Sequence, residues 1–593
     1  MNDKKGYDQM KIDNVINCIN ESVKKYSDKV ALVDGKMQLT YQEIDTMSNK
    51  VCKYLKDMEI GRENVVAIYM DRSYFAVITV LGILKAGAAF LPIDKKIPAK
   101  RVEFMNKISN AKYVIQDSSE KIYDLSLPYI DIHILLDNVK LEPDFNVHNE
   151  IDNELLAYVL FTSGSTGLPK GAMIEHAGMN NHLSEKIRIL NLSNNSIVAN
   201  NASISFDVSV WQMLAPLCVG ATSIIIPESA LLNLKSFRNI LYDYHVQVLE
   251  VVPTYLNLLI HEIKNYSKEF TDLKYLISTG ESLTKSLVNR IFDVLPDIII
   301  VNAYGPTEAS DDIIHLIIDK SNNYDPIPIG KPIRNATLMV VKPDGKPCSI
   351  EEPGELWVSG ICVGRGYVGN DKETKLCFQI NPDTNKRIYK TGDLVSIGKD
   401  GNYYFHGRMD TQIAFYGKRV EVKEIENTML RYPGIKACAV VFDQEHNQIN
   451  ACYIGKEKID IQNLKDFLKK SLPVHMIPLH IIKIDKFPTT ISGKMDYAAL
   501  NDLFRPTETE NIFVGYDNDE VKFLKKILEI IGLKQLPADE SWKNDLRIIG
   551  YDSVNIIKLI IEIEDVYDVE IDDEKLVPEI IYNYNELKKF VLE

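Results

Sequence analysis

The chain has 593 residues, 45% of them apolar and 25% charged, with a formal net charge of -15. That length holds several domains rather than one core, and the balance is that of an ordinary globular protein. The acidic surface argues against a nucleic-acid partner, because neutralising phosphate backbones needs clustered basic residues.

Met1 to Tyr26 is polar and charged and predicts a tail followed by a helix, without the apolar core of a signal peptide. No run approaches the roughly 18 uninterrupted apolar residues of a membrane span, so no membrane association is expected. From Asp28 to Asp400, short β-rich runs such as Val65–Tyr69 and Thr222–Ile226 alternate with helical patterns such as Leu287–Leu295. This alternation predicts α/β layers. Ile327–Phe405 is glycine-punctuated and β-rich. Residues 11–409 are therefore read as one large α/β part.

Residues 410–505 predict a smaller α/β unit, with strand Ala437–Phe442, helix Ile461–Lys470 and strand His480–Ile484. Residues 506–515 read as a linker. The last 78 residues, 516–593, carry 19 Asp/Glu against 10 Lys/Arg. They predict a small acidic helical bundle with helices at Val521–Ile531 and Val554–Tyr567. The eight cysteines are scattered, with no Cys-x-x-Cys and no zinc-like spacing. That predicts reduced thiols and a cytoplasmic location.

Residues 158–171 read Tyr-Val-Leu-Phe-Thr-Ser-Gly-Ser-Thr-Gly-Leu-Pro-Lys-Gly. An apolar strand enters a loop whose glycines let the backbone turn tightly and whose N–H and hydroxyl groups suit phosphate oxygens, with Lys170 adding charge. It is not a P-loop of the Walker type, because no Ser or Thr follows Lys170. Further segments follow in order. They are Leu84–Asp94 (LKAGAAFLPID), Phe206–Ser209 (FDVS), Asn302–Glu308 (NAYGPTE), Gly354–Leu356 (GEL), Tyr389–Asp393 (YKTGD), Gly407–Asp410 (GRMD), Leu472–Pro478 (LPVHMIP) and Ser492–Asp496 (SGKMD).

Together these resemble the motifs of the adenylate-forming superfamily, specifically adenylation domains of nonribosomal peptide synthetases. The resemblance runs from about residue 20 to residue 500 and implies a large α/β subdomain followed by a small mobile one. It also implies ATP and Mg²⁺ as cofactors. In that chemistry a carboxylate attacks the α-phosphate of ATP, so the site must supply positive charge and in-line positioning. The resemblance assigns phosphate binding to Thr162, Ser163, Gly164, Ser165, Thr166, Gly167 and Lys170, with help from Thr307. It assigns Mg²⁺ to Glu308, adenine packing to Tyr304, and the ribose hydroxyls to Asp393 with Arg408 beside it. Gly280, Glu281, Asn302 and Ala303 join the nucleotide site. Lys494 would bridge the substrate carboxylate and the α-phosphate, and Asp410 would be the hinge. After the hinge, Ala414-Phe415-Tyr416-Gly417 replaces the family's Lys-Ile-Arg-Gly-like stretch, which loses its basic residues.

The segment Asp545–Val554 resembles the phosphopantetheine site of carrier proteins and assigns the attachment to Ser553, although Asp552-Ser553 is closer to acyl carriers than to the Gly-Gly-x-Ser of peptidyl carriers. The bland reading of Ser553 is a helix N-cap. A phosphopantetheinyl transferase and a downstream condensation or tailoring enzyme are the implied partners. With no further unit after residue 593, the chain reads as a free-standing loading module.

Asp207 is the residue that pairs with the α-ammonium in amino-acid-activating relatives, which favours an amino acid over an acyl or aryl acid. The other pocket positions fall on Val208, Trp211, Glu250, Ile277, Thr279, Ala303, Asp311 and Asp312. Glu250 interrupts an apolar run, and three buried carboxylates without a cation would be costly. A cationic side chain in a pocket shortened by Trp211 is therefore expected. This points to a short dibasic amino acid: 2,4-diaminobutyrate, then 2,3-diaminopropionate or ornithine, then lysine. The alternative is an acyl- or aryl-acid ligase with a fused acyl carrier.

Overall fold

The computed structural model describes residues 12–118, 127–142, 152–164, 168–382, 384–410, 412–415, 417–443, 448–455, 459–488, 495–504, 518–531, 540–549, 551, 553–567, 571 and 578–592. The chain divides into two compact units. One takes in the described residues of Met1–Ser163, Pro169–Pro227 and Ile240–Arg419; the other takes in those of Gly164–Leu168, Glu228–Asn239 and Val420–Glu593.

Three sheets build the first unit. A nine-stranded sheet places Val248–Val251, Tyr275–Ser278 and Ile299–Tyr304 side by side and parallel, with Ile197–Asn200, Thr222–Ile225 and Val30–Asp34 continuing outward. A seven-stranded sheet contains Val65–Tyr69, Ala89–Ile93 and Leu156–Thr162. A five-stranded antiparallel sheet is built from Ala336–Val341, Gly354–Gly360, Phe378–Ile380, Arg387–Ile397 and Tyr403–Arg408. Every residue of Val65–Tyr69, Ala89–Ile93 and Val248–Val251 is buried, as expected for parallel strands with both faces covered. Near-continuous apolar composition, broken only by Glu250 in Val248–Val251, rather than an alternating pattern marks them as strands.

The helices follow local rules. Thr40 and Glu43 form a reciprocal capping box at the start of Tyr41–Asp57. Gly87, left-handed at φ 79°, ends Tyr74–Ala86. The largest apolar core holds the helices Tyr41–Asp57, Tyr74–Ala86 and Val208–Cys218 against the sheets, with Trp211, Ile277, Val301 and Ala303 among its members.

The second unit contains a three-stranded sheet of Ile435–Asp443, Gln448–Gly455 and His480–Lys483, with helix Ile461–Lys469. The strands and helix expected there fall within one or two residues of these bounds. Further on, helices occupy Asn518–Ile530, Ser553–Tyr567, Pro578–Ile581 and Tyr584–Leu592. Tyr584 stacks on Phe523, ring centroids 5.7 Å apart, and its hydroxyl donates to Glu520 at 2.7 Å. All eight cysteines are free. No helix among the described residues is long and apolar enough to cross a membrane.

Candidate active site

The strand Leu156–Thr162 delivers the glycine-rich loop, and Lys170–Glu175 returns antiparallel with Thr162 opposite Lys170. Ser163 donates its hydroxyl to the Arg419 carbonyl at 2.8 Å. Gly164 is described, whereas Ser165, Thr166 and Gly167 lie outside the described residues. Lys170 is buried and ion-paired with Glu373 at 3.0 Å, so its charge is held at the root of the loop.

The segment after the strand Ile299–Tyr304 brings Thr307 and Glu308 into a single 3₁₀ turn. Glu308 is fully buried. It accepts a hydrogen bond from the Tyr367 hydroxyl at 2.7 Å, and Arg419 Nη1 donates to both its oxygens at 3.1 and 3.0 Å. Burial pushes its carboxyl up, but the Arg419 charge and the Tyr367 hydrogen bond outweigh this and hold it below the usual range. A buried carboxylate kept ionised suits a hard divalent cation, so the residue fits the Mg²⁺ role assigned to it. Tyr367 and Arg419 were not legible as partners in the sequence.

Asp393 lies opposite Arg408 in the ladder of Arg387–Ile397 with Tyr403–Arg408. Arg408 Nη1 donates to Asp393 at 2.7 Å, and the Tyr304 hydroxyl donates to its other oxygen. The remaining Arg408 nitrogens hold both oxygens of Asp410 at 2.8 Å. Burial raises the Asp393 carboxyl, and Arg408 offsets part of that rise. Each oxygen keeps lone-pair capacity for a second donor, as a ribose diol would require. Tyr304 packs beside Phe405, centroids 6.1 Å apart. Asn302 donates to the Pro328 carbonyl at 2.9 Å. Glu281, just after the left-handed Gly280, accepts from the Thr254 backbone and hydroxyl at 3.0 and 2.6 Å.

Asp207 precedes helix Val208–Cys218 and accepts from the Val208 N–H at 3.0 Å. Its second oxygen accepts from the Thr307 hydroxyl at 2.5 Å. Thr307, expected only at the phosphates, thus also fixes Asp207. Burial raises the Asp207 carboxyl, and the Thr307 hydrogen bond moderates the rise.

The remaining pocket positions converge because the register aligns them. Glu250 pairs with Ile277 across adjacent parallel strands, Thr279 and Gly280 follow directly after Ser278, and Ala303 lies two residues beyond the partner of Ile277. Glu250, Asp311 and Asp312 are 2%, 3% and 1% exposed, so they are not the surface acids that an acidic protein would scatter. The expectation that these carboxylates lack a cation is corrected by the structure. Lys186, on helix His176–Ile189, places Nζ 2.7 Å from Asp312 and 3.1 Å from Glu250. It also sits 4.9 Å above the Trp211 ring. Trp211 is fully buried and its indole N–H donates to Glu250 at 2.7 Å. His182 Nε2 faces Asp311 at 2.9 Å and His315 Nε2 faces Asp312 at 3.2 Å.

This cluster sorts its protons by burial and charge. Burial disfavours the Lys186 cation, but Asp312, Glu250 and Asp311 outweigh it and hold the ammonium protonated. Asp312, opposed by burial but facing Lys186 and His315, is held well below the usual carboxylate range. Burial pushes Glu250 up to about 7 and Asp311 well above its ordinary value, and drops His182 to about 3. Among the described residues, Glu250 Oε1 and Asp312 Oδ1 are buried without a hydrogen-bond partner, whereas Asp311 Oδ2 faces His182 Nε2.

Lys494 lies outside the described residues, as does Tyr416 of the altered post-hinge segment. Ser553 is the first residue of helix Ser553–Tyr567, with its side chain outside the description.

Residues 19–368 match the family described as AMP-binding enzyme, and residues 424–494 match the AMP-binding enzyme C-terminal domain. The chain belongs to the AMP-binding enzyme family. Among its relatives, this AMP-binding enzyme is 33% identical to zwittermicin A synthase ZmaJ of Bacillus cereus, over 81% of the chain and 93% of the relative. It is 30% identical to gramicidin S synthase 1 of Brevibacillus brevis, over 91% of the chain and 48% of the relative. It is 34% identical to bacitracin synthase 1 of Bacillus licheniformis, over 81% of the chain and 9% of the relative. The chain thus spans less than half the length of the last two. In sequence it is thus similar to synthases of the peptide-synthetase type. In fold it superposes on holo-PA1221, described as containing adenylation and PCP domains, with TM-score 0.79 and 22% identity over 93% of the chain and 92% of that protein.

Proposed function

We propose that this AMP-binding enzyme activates an α-amino acid with ATP and passes it to a phosphopantetheine thiol on Ser553. A substrate carboxylate oxygen would bond to the α-phosphorus as the bond to the departing pyrophosphate breaks, giving aminoacyl-AMP. The thiol sulfur would then bond to the carbonyl carbon, AMP would leave, and the thiol proton would pass to solvent. In the first step Asp207, fixed by Thr307, holds the α-ammonium, and Asp393 with Tyr304 holds the nucleoside. Mg²⁺, bound through Glu308, would neutralise phosphate charge.

The observation that carries this reading is Asp207: an acceptor whose two oxygens are aimed by Val208 and Thr307, beside the buried acidic cluster. It asks for a cationic amine where an acyl or aryl acid has none. The side chain we propose is short and bears a second amine, 2,4-diaminobutyrate first, then 2,3-diaminopropionate or ornithine. Lys186 balances one of the carboxylates, yet Glu250 Oε1 and Asp312 Oδ1 keep lone pairs that a second ammonium would satisfy.

Amino-acid-dependent pyrophosphate exchange tests the first half, and intact-mass analysis of the phosphopantetheinylated protein tests the second. Exchange with a diamino acid and the matching mass gain are expected. Exchange with fatty or aryl acids alone would replace this reading with the acyl-ligase alternative, which the Asp552-Ser553 pattern favours.

A further inference from the structure

Helix His176–Ile189 departs from the usual amphipathic pattern. Twelve of its fourteen residues are buried, including His182, Glu185 and Lys186. His182 and Lys186 are four apart, so they share one face. Along that face they meet two consecutive acids, Asp311 and Asp312. The Lys186 ammonium therefore stands among Trp211, Glu250 and Asp312, three side chains assigned to the substrate pocket. A lysine there is a tethered copy of the group that the pocket is proposed to bind.

We infer that Lys186 is a specificity-determining residue that fixes the length of the accepted side chain, resting on the diamino-acid reading above. Its ammonium occupies the Trp211 side of the acidic cluster. A substrate amine is left with the outstanding oxygens of Glu250 and Asp312. A short diamino acid brings its second ammonium to those oxygens without displacing Lys186. Lysine would drive a second cation onto the first, where like charges repel in a low-dielectric site, and ornithine would come closer to it than 2,4-diaminobutyrate does. Removing the tethered cation frees both the room and the negative charge that a longer amine needs.

The test compares wild type, Lys186→Met and Lys186→Arg in pyrophosphate exchange across 2,3-diaminopropionate, 2,4-diaminobutyrate, ornithine and lysine. A fitted methylene difference is about 10–200-fold in kcat/KM. The Lys186→Met ratio of ornithine or lysine to 2,4-diaminobutyrate should therefore rise roughly tenfold or more. Lys186→Arg, which keeps the charge and adds bulk, should move the ratio the other way. Lys186→Gln, which removes the charge but can still hydrogen-bond Glu250 and Asp312, keeps the test open if Lys186→Met fails to fold; binding of an ATP analogue reports the fold. An unchanged ratio in folded variants, with overall activity merely lowered, would make Lys186 a structural counter-ion and overturn the inference while leaving the substrate reading intact. Wild type turning over no diamino acid would overturn both, and that result is visible without any variant.

Discussion

Glu250 sits in a strand whose other residues are apolar, and in the proposed pocket its charge state would decide whether an ammonium binds there. Burial raises its carboxyl to about 7. Below that value it is protonated and a poor partner for an ammonium; above it, it is ionised. The KM for a diamino acid should therefore fall as pH rises from about 6 to about 8 and level off beyond. Glu250→Gln should flatten that profile and erase the preference for diamino acids. A pH-rate series on both proteins checks this, and a profile shared by the two would count against Glu250 as the contact. Glu308 works the other way, being held ionised by Arg419 and Tyr367. Glu308→Gln should lower pyrophosphate exchange by about 10²-fold, as for loss of one preorganised electrostatic contact. It should also raise the Mg²⁺ concentration needed for half-maximal rate.

The segment between Tyr304 and Ile313 is the element on which the site turns. Ser310 and Asp311 both take positive φ, 65° and 82°, where L-residues are uncommon. Such backbone costs of order 1–3 kcal/mol per residue and persists where surrounding contacts enforce it. Gly305 makes the bend feasible: a Cβ there would lie 1.9 Å from the Asp311 carbonyl oxygen and 2.6 Å from the Asp312 Cα. Gly305→Ala should therefore displace Asp311 and Asp312. Amino-acid-dependent exchange should drop by at least about 10²-fold, since misplacement by about 1 Å costs that much. Thermal denaturation would show a lowered midpoint. Asn302–Glu308 was legible as a motif, but its closeness to Asp311 and Asp312 was legible only as adjacency in the chain. Helix His176–Ile189 was harder. Its polar residues give no apolar stripe, and nothing local distinguishes a buried Lys186 from a solvated one.

At the scale of the whole molecule, the proposal assigns activation and loading to different parts of the chain. Ser553→Ala should abolish the mass gain of the loaded protein while leaving pyrophosphate exchange unchanged; loss of both would deny Ser553 a role confined to loading. The motif order by itself pointed to the family and the alternation of β-rich and helical runs to the α/β class, because each signal is a short contiguous run whose chemistry or periodicity is local. Matching the family's motifs also carried Asp207, Glu250, Asp311 and Asp312 over as expected pocket residues. Tertiary structure alone decided how those charges are balanced. Lys186 is 64 residues from Glu250 in the chain, and Arg419 is 111 from Glu308. Electrostatic energy in a buried site depends on distances through space, and no linear pattern encodes which distant cation folding will bring within 3 Å or so of a given carboxylate.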